Sequence, residues 1–385
     1  MNMKHIITTL AATALLTGTN TAKAQSWKLV INKTDGQNIE LLTTEVRDIQ
    51  FVSQDEEQPT LPDENVDQLI IKEIYCGGCP KDDGNDVFQQ DKCIVLYNNC
   101  PQRVVANNLC IGMATPYNSN AANDNYDAEG NLVYEAEGFT PAQNGIWYFP
   151  HSLVVEPFGS VVVNLCGAID NTQTYSQSVN YANANYYCMY DPESGYSQTN
   201  YYPTPADVIP TSHYLRAVKY GQATAWPFSQ SSPAVFIYQT QQATPAEHAM
   251  NADNMWYSVG KPQTTVWACV KVPNEWIIDA VEGFNATAKS DNKKRLTAEL
   301  DGGYIYHTFK LGHAVYRNVD QESTEALPEN KGLLVYGYNK GVDGSTDPSG
   351  IDAEASLRKG AHIIYMDWNN SGTDFHERQQ CSLRD

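Results

Sequence analysis

Toward the end of the chain, Asp374, His376 and Glu377 place two carboxylates and an imidazole within four residues. Such a trio can pass a proton at neutral pH if its side chains converge; so near a chain end, a surface hydrogen-bond group is the expectation. Upstream, the run Asp343-Gly-Ser-Thr-Asp347-Pro-Ser-Gly-Ile-Asp352-Ala-Glu354 sets oxygen-bearing side chains at the first, third, fifth, seventh and twelfth places of a calcium loop. The sixth place needs glycine for its sharp turn and holds Pro348, which argues against an EF-hand. Calcium held by Asp343, Asp347, Asp352 and Glu354 on a different backbone path stays open, as it does for Asp82, Asp83, Asn85 and Asp86. The plainer expectation is a solvated turn leading into a helix capped by Asp352.

Nine cysteines supply a second chemistry. Cys76, Cys79, Cys93, Cys100 and Cys110 fall within 35 residues, so a local disulfide staple is expected, and the odd total leaves at least one thiol over. Cys76-Gly-Gly-Cys79 has the spacing of a redox dithiol, but Pro80-Lys-Asp-Asp-Gly84 follows it where such motifs begin a helix that lowers the first thiol's pKa. Zinc on Cys76, Cys79, Cys93 and Cys100 is weaker still, because the second pair is irregularly spaced. Connectivity does not follow from spacing.

A third candidate is compositional. Residues 175–202 hold eight tyrosines among Asn, Ser and Gln, and few charges. Tyr186, Tyr187, Tyr190, Tyr196, Tyr201 and Tyr202 could stack on sugar faces or contact a protein partner; as rings covering a sheet edge they would only pack, and that reading ranks first. No Gly-x-Ser-x-Gly elbow, His-Glu-x-x-His helix or phosphate loop occurs, so no catalytic residue is assigned.

The elements that must position these groups are short strands. Gln68–Tyr75, Cys93–Tyr97, Ile146–Phe149, Leu153–Glu156, Ser160–Leu165, Ala234–Tyr238, Thr264–Val272, Trp276–Val281, Gly332–Tyr338 and His362–Met366 are rich in Val, Ile, Tyr and Trp and bounded by turn formers. Helices are expected only at Pro245–Asn254 and Asp352–Lys359. Ahead of them, residues 1–24 read as a signal peptide: a basic start at Lys4, an apolar run from Ile6 to Leu16, and Ala22-Lys-Ala24 as the cleavage site. Residues 25–53 form a small β unit with a hairpin turn at Thr34-Asp-Gly36, residues 54–67 an acidic, proline-containing linker, and residues 68–385 the main domain. The apolar run is too short to span a bilayer, and none follows in the mature chain. A formal net charge of −20 repels nucleic acid and anionic membranes.

Two resemblances add to this. Leu69-Ile-Ile-Lys-Glu-Ile-Tyr75, Lys92-Cys-Ile-Val-Leu-Tyr-Asn-Asn99 and Asn108-Leu-Cys-Ile-Gly112 resemble the opening strands of lamin-tail domains, with Val95 where those domains usually carry glutamate. Leu153–Val163 and Trp276–Gly283 extend the likeness. It implies a mainly β, immunoglobulin-like sandwich with long loop insertions. Arg295-Leu-Thr, Leu311-Gly-His, Tyr316-Arg-Asn-Val-Asp320, Thr346–Glu354 and Asp374-Phe-His-Glu377 resemble the secreted Bacteroidota family called domain of unknown function 4876. That resemblance implies export and no established activity.

The expected protein is thus exported, to the periplasm, the outer-membrane surface or the medium, and binds a glycan, peptide or envelope protein without catalysis. A calcium-stabilised structural protein comes second. A polymer hydrolase using carboxylates or His376 comes third.

Overall fold

Apolar and β-branched runs punctuated by Gly, Pro and Asn become strands here, and among the described residues twelve of the 21 strands join one sheet. The computed structural model describes residues 28–32, 38–46, 61–120, 122–287 and 292–385. The expected signal peptide and the Thr34-Asp-Gly36 turn lie outside them. By contacts the chain divides into Met1–Pro59 and Thr60–Asp385. In the first unit, Lys28–Asn32 pairs antiparallel with Asn38–Leu42, from Lys28 opposite Leu42 to Asn32 opposite Asn38. In the second, residues 61–67 of the expected linker bond to their own unit: Asn107 donates to the Leu61 carbonyl, and Glu64 pairs with Val105 and Arg103. Residues 54–60 of that linker lie outside the described residues.

The second unit is mainly β, as expected. Its large sheet has twelve strands in the spatial order Ile305–His307, Ile277–Asn285, Ala234–Gln239, Leu109–Met113, Gly145–Tyr148, Tyr214–Lys219, Tyr187–Met189, Ser160–Cys166, Lys92–Asn98, Leu69–Tyr75, Ala314–Arg317, Phe375–Arg378. This single curling sheet does not single out a lamin-tail arrangement. Its two ends approach each other. The Asp279 carboxylate accepts the Ile71 backbone N–H at 2.6 Å and pairs with Arg317, whose Nε donates to the Ile71 carbonyl at 2.9 Å. At the edges, the Thr308 N–H donates to Glu377 Oε1 at 2.7 Å. A sheet that closes this way leaves little unpaired backbone for another chain to join.

Inside the curl, Leu69, Ile71, Ile94, Leu96, Ile111, Trp147, Val163, Leu215, Val235 and Ile237 form one apolar core. Alternate residues face outward, where two further layers cover them. Ile70 and Tyr97 pack under Val319, Ile351, Ile363 and Tyr365, whereas Phe236 and Tyr238 pack under Val270, Val272 and the helix Pro245–Met250. Burial on both faces explains why Leu69–Tyr75 and Lys92–Asn98 are buried at all seven positions each.

Two expected strands are absent. Gly332 and Gly337 sit at φ 81° and 85°, outside the strand region; the chain turns at Lys331–Leu333, and Tyr336 makes only an isolated bridge to Ile351. Residues 362–366 make only an isolated bridge, Tyr365 to Val319, with backbone bonds to Asn318 and Asp320, and side chains take the rest: the His362, Ile364 and Tyr365 N–H groups donate to Asn330, Thr324 and Asn99. Both expected helices occur, as Pro245–Met250, with a capping box from Thr244 and Glu247, and as Ala353–Arg358, capped by Asp352.

Candidate functional site

Strand Phe375–Arg378 pairs with Ala314–Arg317 so that Glu377 lies opposite Val315 and His376 opposite Tyr316. Successive side chains on a strand point to opposite faces, which separates the expected trio. Glu377 turns to His313, whose Nδ1 donates to Oε1 at 2.7 Å. His376 turns the other way: Nδ1 donates to Asn318 Oδ1 at 2.7 Å and Nε2 accepts from the Tyr338 hydroxyl at 2.5 Å. The Asn318 amide nitrogen donates to the Thr373 carbonyl, so its oxygen must face the ring and the imidazole carries its proton on Nδ1. Asp374 closes a turn by accepting the Trp368 and Asn370 N–H groups. All three are buried, at 1%, 1% and 3% exposure. The expected surface group is therefore corrected: Ala314–Arg317 on one side and the 318–366 layer on the other cover this strand. Burial, with Arg378 nearby, pushes the His376 pKa down to about 3, so the ring stays neutral.

The face that holds His376 is a narrow polar cleft among Tyr316, Tyr338, Asp347, Asp352, Glu354 and Arg378, with no room for a water molecule. Glu354 accepts from the Tyr316 hydroxyl at 2.7 Å and pairs with Lys72 at 2.9 Å. Burial raises its pKa, but Lys72, Tyr316 and Arg378 outweigh that and hold the carboxyl below its ordinary value. Asp347 accepts the Val319 and Ser349 N–H groups, and burial raises its pKa. Asp352 caps its helix, and Asp343 is exposed. The candidate calcium ligands are thus directed to backbone and to Lys72. Among the described residues no group of three or more His, Cys, Asp or Glu is placed to share an ion.

The tyrosine segment packs. Tyr196 stacks on Trp147 at 5.5 Å and is buried. Tyr202 accepts the Trp226 backbone N–H at 2.9 Å. Tyr187 stacks on His213 at 4.2 Å, and Tyr190 meets Tyr214 edge-on at 5.4 Å. Tyr201 lies against the apolar core, and Tyr186 is half-buried beside Cys93, Val162 and Tyr181.

All nine cysteines are buried and unpaired. Cys100 and Cys110 donate to the Gln102 and Asn108 carbonyls, each at 3.3 Å, and Cys76 to that of Gln230 at 3.7 Å. Burial pushes the Cys76 and Cys79 thiols up to about 12, the opposite of what a redox dithiol needs. Cys93 and Cys381 face each other with sulfurs 4.0 Å apart.

Open space lies elsewhere. A cavity of about 480 Å³, open to solvent, is lined by Glu325, Leu327, Pro328, Lys331, Leu334 and Tyr336. Helix Gln321–Ala326, capped by Asp320, forms one wall and stops before Pro328. The turn at Lys331–Leu333 and the irregular chain that follows it to Tyr336, in place of the expected Gly332–Tyr338 strand, form the other. Tyr336 is 57% exposed, yet its hydroxyl donates to Glu325 Oε1 at 2.9 Å, which fixes the ring at the rim. Sequence reading missed Tyr336 by assigning residues 332–338 to a strand, and gave Glu325 and Lys331 no role. Gly332 and Gly337 flanking the run, with Pro328 just before it, were the available signal.

The model of the family described as Protein of unknown function (DUF4876) matches residues 156–334, which include Glu325, Lys331 and Leu334 of the cavity wall. No curated protein matches the chain. The crystal structure of a DUF4876 family protein from Bacteroides thetaiotaomicron VPI-5482 is similar, with TM-score 0.57 and 19% identity over 80% of this chain and 70% of that one. At that identity the likeness is one of fold. No helix among the described residues is long and apolar enough to cross a membrane. The chain is therefore similar to the DUF4876 family, in sequence over residues 156–334 and in fold over 80% of its length.

Proposed function

We propose that this chain is an exported, non-catalytic binding protein of the bacterial envelope that holds a segment of neutral glycan in the cavity beside Tyr336. One observation carries the reading: an exposed tyrosine ring, held in place by Glu325, borders a cavity of about 480 Å³ with a carboxylate and an ammonium group at its rim. The flat C–H face of a pyranose stacks on such a ring, while its hydroxyls can donate to Glu325 and accept from Lys331. The net charge of −20 disfavours a polyanionic ligand. Export rests on the basic, apolar and small-residue pattern of residues 1–24. The hydrolase alternative finds less support, because His376 is buried and uses both ring nitrogens in hydrogen bonds.

A glycan array followed by calorimetric titration tests the reading. Binding of a neutral oligosaccharide should weaken about tenfold or more in Tyr336→Ala. A wild-type protein that binds no glycan, or a Tyr336→Ala variant that binds as tightly, would overturn it.

A further inference from the structure

Cys93 lies on strand Lys92–Asn98, an interior strand of the large sheet, and Cys381 precedes the turn Ser382–Arg384. They are 288 residues apart in sequence, yet their sulfurs meet at 4.0 Å, and both residues are fully buried among Tyr75, Val95, Tyr181 and Ala314. The turn that carries Cys381 is seated independently of the sulfurs. The Ser382 N–H donates to the Glu73 carboxylate at 2.8 Å, and Asp385 pairs with Lys340 at 2.8 Å and with Arg378. Polar contacts on both sides of the turn therefore hold the two thiols together. A disulfide needs about 2.05 Å between sulfurs, so the pair must close by about 2 Å from the 4.0 Å at which the thiols stand.

We infer that Cys93 and Cys381 form a disulfide that fastens the Cys381–Asp385 turn to an interior strand of the sheet. The electron acceptor is a donor disulfide, such as that of a thiol–disulfide oxidoreductase or of oxidised glutathione. One cysteine thiolate attacks a donor sulfur and expels the other as thiolate. The second cysteine thiolate then attacks the protein sulfur of this mixed disulfide and expels the remaining donor sulfur. Two electrons and two protons pass from the two thiols to the donor, which leaves as a dithiol in the case of an oxidoreductase and as two thiols in the case of glutathione. Burial opposes thiolate formation at Cys381 once the turn is docked, so exchange belongs to the stage of folding at which that turn is still open.

The test uses the full chain made by cell-free synthesis with oxidised glutathione and a disulfide isomerase present, then alkylated under denaturing conditions and mapped by mass spectrometry. A peptide containing Cys93 linked to one containing Cys381, lost on reduction, is the expected result. Both cysteines recovered as alkylated thiols, or either joined to a different cysteine, would overturn the inference. A second measurement addresses the fastening itself. Reduction should lower the wild-type Tm by several degrees and leave that of Cys381→Ser unchanged; a wild-type melt indifferent to reductant would refute the fastening.

Discussion

The tyrosines at 175–202 and the tyrosine at 336 show how little composition says about the use of an aromatic ring. The crowded segment places Tyr196 on Trp147 and Tyr202 on the Trp226 backbone, so its rings seal the apolar core. Tyr336 stands in an unremarkable stretch, and its ring faces solvent with only the hydroxyl tied down. Tyr338, two residues on, reaches inward to His376. Rigidity combined with exposure, and not abundance, marks the recognition candidate. A buried ring can be rigid without being available, and a mobile exposed ring loses more entropy on binding.

Four measurements would break or sharpen that contrast. The largest effect is expected for Tyr196→Ala, which leaves a hole against Trp147: a loss of about 3–5 kcal/mol in denaturant unfolding. A cost below about 1 kcal/mol would return Tyr196 to the pool of recognition residues. Next comes acidification. His376, held near pKa 3 when folded, has an unfolded value of about 6.5. Its contribution is therefore complete above pH 6.5 or so and is lost as pH falls from there toward 3. A His376→Gln variant should show a shallower fall in stability over that window, read from Tm against pH; curves of equal slope would show that the imidazole is open to protonation in the folded protein. Tyr202→Phe removes the acceptor of the Trp226 N–H and should cost about 1–3 kcal/mol. The smallest effect belongs to Tyr336→Ala, within about 0.5 kcal/mol of wild type. A larger loss would make Tyr336 one more packing residue.

Much of the sheet was legible because strands buried on both faces read as unbroken apolar runs, as Leu69–Tyr75 and Lys92–Asn98 do. Cap chemistry placed the helices at Pro245 and Ala353, where Thr244 and Asp352 accept backbone N–H groups. Residues 362–366 misled because a backbone that makes one isolated bridge and is otherwise satisfied largely by the side chains of Asn99, Thr324 and Asn330 looks in sequence like a strand. The candidate site was less legible still. The alternation that parts His376 from Glu377 follows once the 375–378 strand is known, but its pairing partner at 314–317 is distant in sequence. The cavity depends on two glycines with positive φ, a property that local hydrophobicity does not encode.

The clamp at Asp279 bears on how quickly this protein can assemble. Its carboxylate reaches Ile71 across 208 residues of sequence, and Arg317 reaches the same Ile71 across 246. Neither link can reward the chain until most of the intervening strands have found their order. Such long-range pairings give slow collapse to the native state and a long exposure of sticky intermediates. A protein built this way should refold orders of magnitude more slowly than a helical bundle of equal stability, and should gain more than most from a chaperone at its side.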